Sequence, residues 1–106
     1  DDPQHYGVVT IEGNKIVEIL EKPTHPKSDY VNTGLWLFLP EVFDHLKTLR
    51  KSPRGEYEVT EILDRYARAG KLTYSLFDSH WTDAGSFESL FNATVLMKEL
   101  DDQSRL

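Results

Sequence analysis

Three short clusters in this sequence combine the residue types that bind phosphates, sugars and hard cations. Glu21-Lys22-Pro23 sets a carboxylate beside an ammonium group and ends in a residue that fixes the path of the chain. A lysine brings a compact charge with three donors, suited to a phosphate, and an adjacent carboxylate can accept hydrogen bonds from sugar hydroxyls. Ser52-Pro53-Arg54-Gly55-Glu56 carries a planar guanidinium fork, able to grip phosphate through two hydrogen bonds, next to a glycine that permits a sharp turn and close approach. Trp81-Thr82-Asp83-Ala84-Gly85-Ser86 holds a carboxylate just ahead of a predicted helix. A hard cation such as Mg2+ takes one or two such carboxylates together with phosphate oxygens.

Each cluster also has a plainer reading. Glu21 and Lys22 suit a solvated strand end, and Arg54 an exposed turn between helices. Asp83 can serve a helix N-terminus, where negative charge is favoured, and Trp81 can be a core residue. Taken singly, the plainer readings prevail. His5, His25, His45 and His80 show no metal-ligand spacing such as i, i+4. The six glycines are all isolated, so these residues contain no glycine-rich phosphate loop.

The elements that must position the clusters follow from periodicity. Tyr6–Ile11 and Lys15–Leu20 are rich in β-formers and flank Gly13-Asn14, which predicts a tight hairpin. Pro23 ends the second strand because it cannot donate to a ladder. Val31–Leu39 is nearly all apolar from Leu35 on and predicts a strand buried on both faces. Pro40 is placed at the start of a helix with Val42, Phe43, Leu46 and Leu49 on one face. Val59, Ile62, Leu63 and Tyr66 give a second amphipathic helix, with Gly70 as its C-terminal cap. Leu72–Phe77 reads as a strand and Trp81–Gly85 as a short strand or turn. Ser86 caps a last helix with Phe87, Leu90, Phe91, Thr94 and Met97 on one side, and Asp101–Leu106 is expected to fray. The expected order is β-β-β-α-α-β-β-α, a mixed α/β fold with helices on one layer of sheet, read as a single domain over 1–106.

Composition sets the outer bounds. The chain has 106 residues, 39% of them hydrophobic, with 12 Lys plus Arg against 18 Asp plus Glu and a formal net charge of −6. That length suits one domain with a modest core, and five Tyr, five Phe and two Trp argue against disorder. The acidic balance disfavours nucleic acid and anionic membranes as partners. There is no cysteine, hence no disulfide framework or thiolate metal site, which fits a cytoplasmic protein. The start, Asp1-Asp2-Pro3, has no initiator Met and reads as a piece of something longer.

Taken together and in order, the clusters resemble the C-terminal half of the sugar-1-phosphate nucleotidyltransferases. The matching elements are Tyr6-Gly7-Val8-Val9, Glu21-Lys22-Pro23, Thr33-Gly34-Leu35, Ser52-Pro53-Arg54-Gly55-Glu56 with Glu58 and Thr60, and Trp81-Thr82-Asp83-Ala84-Gly85. Within the family, the branch that transfers a thymidylyl group to glucose 1-phosphate is the most similar. The resemblance implies a reaction in which the sugar phosphate attacks the α-phosphorus of a nucleoside triphosphate, with Mg2+ as cofactor and pyrophosphate as product. It implies that Gly7 meets a sugar hydroxyl through its backbone, that Glu21 accepts from sugar hydroxyls, and that Lys22 and Arg54 hold the phosphate as the catalytic cations. Asn32 would line the sugar pocket, Trp81 would wall it, and Asp83 would be one of two carboxylates on the metal.

The departures carry equal weight. The family's glycine-rich triphosphate loop, its base-reading pocket and its other metal carboxylate are absent from this sequence. The position of Asn32 is often apolar in the family, and Asp83-Ala84-Gly85 replaces the usual Asp-Thr-Gly. The resemblance therefore implies half of a nucleotidyltransferase fold, inactive in isolation and prone to homo-oligomerise. A non-catalytic sugar-phosphate sensor and a structural oligomerisation domain are the alternative readings.

Overall fold

The computed structural model describes residues 2–104. It divides into two compact units, one ending at Ser75 and the other beginning at Leu76.

The first unit is built on a hairpin. After a single 3-10 turn at Pro3–His5, strand β1 (Gly7–Glu12) pairs antiparallel with β2 (Lys15–Glu21). The two-residue link is the predicted Gly13-Asn14, and Gly13 has φ +63, which a glycine adopts without a Cβ penalty. The register shifts between Thr10 and Ile11, so that Thr10 faces Glu18 and Ile11 faces Ile16, leaving Val17 as an extra residue on β2. This bulge puts Ile16 and Ile19, three residues apart, in the same core. Helix α1 (Val42–Lys47) and helix α2 (Val59–Arg68) follow. The core is Val9, Ile16 and Ile19 from the hairpin against Leu63 and Ala67 of α2, with Ile11, Phe38, Val59 and Leu72 at its margin. Ile62 is fully buried.

Polar groups lock α2 to the sheet and end it. Asp64 accepts the main-chain N–H of Ile19 at 3.0 Å, so a helix carboxylate closes one edge of the hairpin. The predicted cap at Gly70 forms a Schellman motif. Gly70 donates to the Ala67 carbonyl and Lys71 to that of Tyr66, each at 2.9 Å, and Gly70 takes φ +67. Arg65 donates to the Thr48 hydroxyl at 2.8 Å and so ties the end of α1 to α2.

The second unit contains α3 (Phe87–Ser104). Its start matches the sequence reading: the Ser86 hydroxyl accepts the N–H of Ser89 at 3.1 Å, and the Ser89 hydroxyl accepts the N–H of Ser86 at 3.0 Å. The helix runs on through the expected frayed tail to Ser104; Arg105 and Leu106 lie outside the described residues.

The mixed α/β class holds, but the order β-β-β-α-α-β-β-α does not. Among the described residues the sheet has two strands. Of the expected third strand only Val31 makes a bridge, to Val8. Leu35, Leu37 and Leu39 are exposed and Phe38 alone reaches the core. Segments 72–77 and 81–85 form no ladder either. The reason is that β-forming side chains produce a strand only where a neighbour supplies hydrogen bonds. The free edge of β1 is taken up by single contacts instead of a ladder, through Val9 N–H to the Tyr30 carbonyl (2.8 Å), Asn32 N–H to the Gly7 carbonyl (2.9 Å) and the Ser28 hydroxyl to the Val9 carbonyl. Helix α1 begins at Val42, with Pro40 and Glu41 in the turn before it, and buries Val42 while Phe43 and Leu46 stay exposed. In α3 no residue is buried, so the expected apolar side is an exposed face. No helix among the described residues is long and apolar enough to cross a membrane.

Candidate functional site

The hairpin register places Gly7 directly opposite Glu21, at the end of the ladder where β1 begins and β2 stops. Asn32 is tied to the other side of Gly7 by its main-chain N–H. The missing side chain at Gly7 is what lets these three residues converge. A Cβ there would lie 2.2 Å from Asn32 Nδ2 and 3.3 Å from Glu21 Oε2. The side chain of Asn32 is itself held, its Oδ1 accepting the N–H of Gly34 at 3.2 Å. Its Nδ2 donor is thereby turned toward the notch over Gly7, beside the Glu21 acceptor.

Glu21 is fixed from α2. Thr60, in the first turn of that helix and only 4% exposed, donates its hydroxyl to Glu21 Oε2. The other carboxylate oxygen faces Arg54, with Nη1 at 3.6 Å from Oε1. Arg54 rises from the turn between α1 and α2, where Gly55 has φ +81. Its guanidinium also meets Glu58 Oε1 at 3.3 Å and Glu56 Oε2 at 3.1 Å. Gly7, Glu21, Asn32 and Arg54, four residues singled out in the sequence, thus meet at one end of the sheet.

Lys22 follows Glu21 with φ +43, a left-handed conformation that costs a non-glycine residue roughly 1–2 kcal/mol. Its N–H donates to the Tyr6 carbonyl at 3.0 Å, which holds the turn, while the side chain is exposed and its ammonium pairs with no carboxylate among the described residues. The two cations therefore stand differently: Lys22 is open to an anion, and Arg54 is engaged by Glu21, Glu56 and Glu58. A guanidinium has five donors, more than these contacts occupy, so an anion can be added to it.

Asp83 and Trp81 belong to the second unit and are described by themselves. Asp83 Oδ2 accepts the N–H of Gly85 at 3.1 Å, in a turn that leads to Ser86 and α3. Its carboxylate is exposed and leaves Oδ1, a hard oxygen donor, for another partner. Trp81 is half-exposed. No group of three or more His, Asp or Glu among the described residues is arranged to hold a metal.

Glu58 and Thr60 are part of the motif that carries the resemblance, but the sequence assigns them no role in the site. The available signal was a threonine beside Val59, Ile62 and Leu63 on a buried helix face, where a hydroxyl needs a partner.

A carboxylate, an amide and two cations gathered on a hairpin end offer acceptors, donors and positive charge to a polar, anionic small molecule. The chain belongs to the nucleotidyl transferase family, which matches residues 1–99. Among curated proteins it is similar to a glucose-1-phosphate thymidylyltransferase of Mycolicibacterium smegmatis, 37% identical over 103 residues that cover 94% of this chain and 36% of that protein. It is also similar to a bifunctional protein GlmU of Methanococcus aeolicus, 34% identical over 102 residues, covering 94% of this chain and 25% of that one. A crystal structure from Bacillus anthracis, provisionally assigned as a glucose-1-phosphate thymidylyltransferase and complexed with sucrose, superposes with a TM-score of 0.80 at 47% identity. That match covers 91% of this chain and 39% of the other. The chain thus spans between a quarter and two fifths of the length of these relatives.

Proposed function

We propose that this chain forms the sugar-phosphate side of a site that transfers a thymidylyl group from dTTP to glucose 1-phosphate. The observation that carries the reading is the convergence of Gly7, Glu21, Asn32 and Arg54 at one end of the hairpin, beside the exposed Lys22. Relatives whose names specify glucose 1-phosphate and thymidylyl transfer support the choice of substrates.

In this reading Glu21 and Asn32 take sugar hydroxyls as acceptor and donor, and the main chain of Gly7 lies against the ring. Lys22 and Arg54 hold the phosphate and offset its charge as one of its oxygens attacks the α-phosphorus. The new P–O bond forms as the bond from the α-phosphorus to the oxygen bridging the β-phosphorus breaks, and pyrophosphate leaves. Such a reaction depends on positioning and charge stabilisation, which these fixed side chains supply. Asp83, in the second unit, offers a hard oxygen suited to Mg2+, and Trp81 an aromatic face on the same segment. Mg2+, when bound, would neutralise charge on the triphosphate. With no glycine-rich loop for the triphosphate in these 106 residues, the chain alone is expected to be inactive.

Calorimetric titration of glucose 1-phosphate, with and without Mg2+, tests the reading. Lys22→Ala and Arg54→Ala should each weaken binding about tenfold or more, the loss of a charge-assisted hydrogen bond. Binding that survives both substitutions removes the site. Pyrophosphate release from dTTP by the purified 106-residue chain would overturn its expected inactivity.

A further inference from the structure

The turn that carries Arg54 is closed by a small network outside the proposed ligand contacts. The Ser52 hydroxyl accepts the main-chain N–H of Arg54 at 3.2 Å and donates to Glu58 Oε1 at 2.9 Å. The same Glu58 oxygen accepts from Arg54 Nη1 at 3.3 Å. Two main-chain bonds of 2.8 Å, Ser52 N–H to the Glu56 carbonyl and Gly55 N–H to the Ser52 carbonyl, complete the loop. The Glu58 side chain is 14% exposed, against 60% for Glu56, and it stands at the N-cap of α2, the helix that packs on the sheet.

We infer that Glu58, with Ser52, is a positioning residue for Arg54. One carboxylate oxygen meets both the guanidinium and the hydroxyl that holds the arginine's own backbone, so the root and the tip of the side chain are fixed from one point. A long flexible side chain loses rotamer entropy when it grips a ligand. Holding it beforehand leaves less to lose on binding. Glu56 lacks this arrangement: its side chain is exposed, and among the described residues its carboxylate meets the guanidinium but not the Ser52 hydroxyl. The inference rests on the proposed role of Arg54 in binding phosphate.

Two opposed effects make the test decisive. A carboxylate that merely competed with the ligand's phosphate would, on removal, leave Arg54 free and tighten binding. A carboxylate that positions Arg54 would, on removal, weaken it. In the protein as encoded in its source, calorimetric dissociation constants for glucose 1-phosphate are compared in Glu58→Ala, Glu58→Gln, Ser52→Ala, Arg54→Ala and the double variant Arg54→Ala/Glu58→Ala. Glu58→Ala should weaken binding about tenfold, Ser52→Ala less, and Glu58→Gln, which keeps the acceptor oxygen, should recover most of the loss. In the Arg54→Ala background the same Glu58→Ala change should have no further effect, because Glu58 acts through Arg54. Circular dichroism melting identifies any variant that fails to fold, and Glu58→Gln and Ser52→Ala then carry the comparison.

Unchanged or tighter binding in Glu58→Ala, or an equal loss with and without Arg54, overturns the inference while leaving the site intact. No effect of Arg54→Ala itself overturns the underlying reading instead.

Discussion

Gly7 shows how much of this site depends on one absent side chain. Its main chain holds Asn32, and the space over its Cα is filled by the Asn32 amide and edged by Glu21. Gly7→Ala would set a Cβ 2.2 Å from Asn32 Nδ2, the far end of a side chain held by one hydrogen bond from Gly34 N–H. The fold can answer by turning that amide away, at a stability cost of about 1 kcal/mol, the low end for overpacking. The site cannot, because the donor leaves the notch. The expected outcome is a chain with nearly normal thermal stability and weakened glucose 1-phosphate binding, measured by melting and calorimetry together. A large loss of stability with unchanged affinity would contradict it.

At the scale of the element, α2 carries the most varied duties. Its apolar face supplies Leu63 and Ala67 to the core, its first turn supplies Thr60 to Glu21, and Asp64 closes the β2 edge. Asp64 also pairs with Arg68, whose guanidinium is held still more firmly in its charged form, first by that hydrogen bond and then by the carboxylate's charge. Asp64→Ala should leave the Ile19 N–H unpaired and cost about 1–3 kcal/mol in urea unfolding. An unchanged midpoint would show that water serves the strand edge equally well. Further along the helix, the Tyr66 hydroxyl is buried without a hydrogen-bond partner among the described residues, its ring against His45 and Phe38. Burial, and then the Glu41 carboxylate, raise its pKa above the ordinary value of 10.0. The unfolded chain therefore loses this proton first, and stability falls as pH climbs through and above that value. The wild-type melting temperature should drop more steeply than that of Tyr66→Phe between about pH 9 and 11. Parallel curves would remove Tyr66 as the cause.

At the scale of the whole molecule, the apolar surface left open is the main feature. Leu35, Leu37 and Leu39 stand exposed in an extended segment without a ladder, and Leu37 has no cover at all. Phe87, Phe91 and Met97 line an uncovered face of α3. Extended segments with free hydrogen-bonding groups and exposed apolar side chains favour pairing with another chain. The purified 106-residue chain should self-associate, with sedimentation that quickens as concentration rises. A single monomeric species across a roughly tenfold range of concentration would count against this.

The sequence by itself determined the features that close within a few residues. The Gly13-Asn14 hairpin, the end of β2 before Pro23, the Ser86 cap and the Gly70 stop are local balances of turn, cap and backbone preference, and all formed as read. Glu21 and Arg54 stood out by residue type, but singly their plainer readings prevailed, and only the order of the motifs raised them to candidates. Only the tertiary structure decided which β-forming runs became strands, because a ladder needs a partner that sequence does not name. Of the run 31–39, read as a strand, only Val31 forms a bridge; 72–77, read as a strand, stays unpaired, and 81–85, read as a short strand or a turn, forms no ladder. Tertiary structure also decided that Thr60, thirty-nine residues from Glu21, would fix its carboxylate, and that Arg54 would lie within reach of the same group. Contacts of that span depend on the bulged hairpin and the packing of α2 against it.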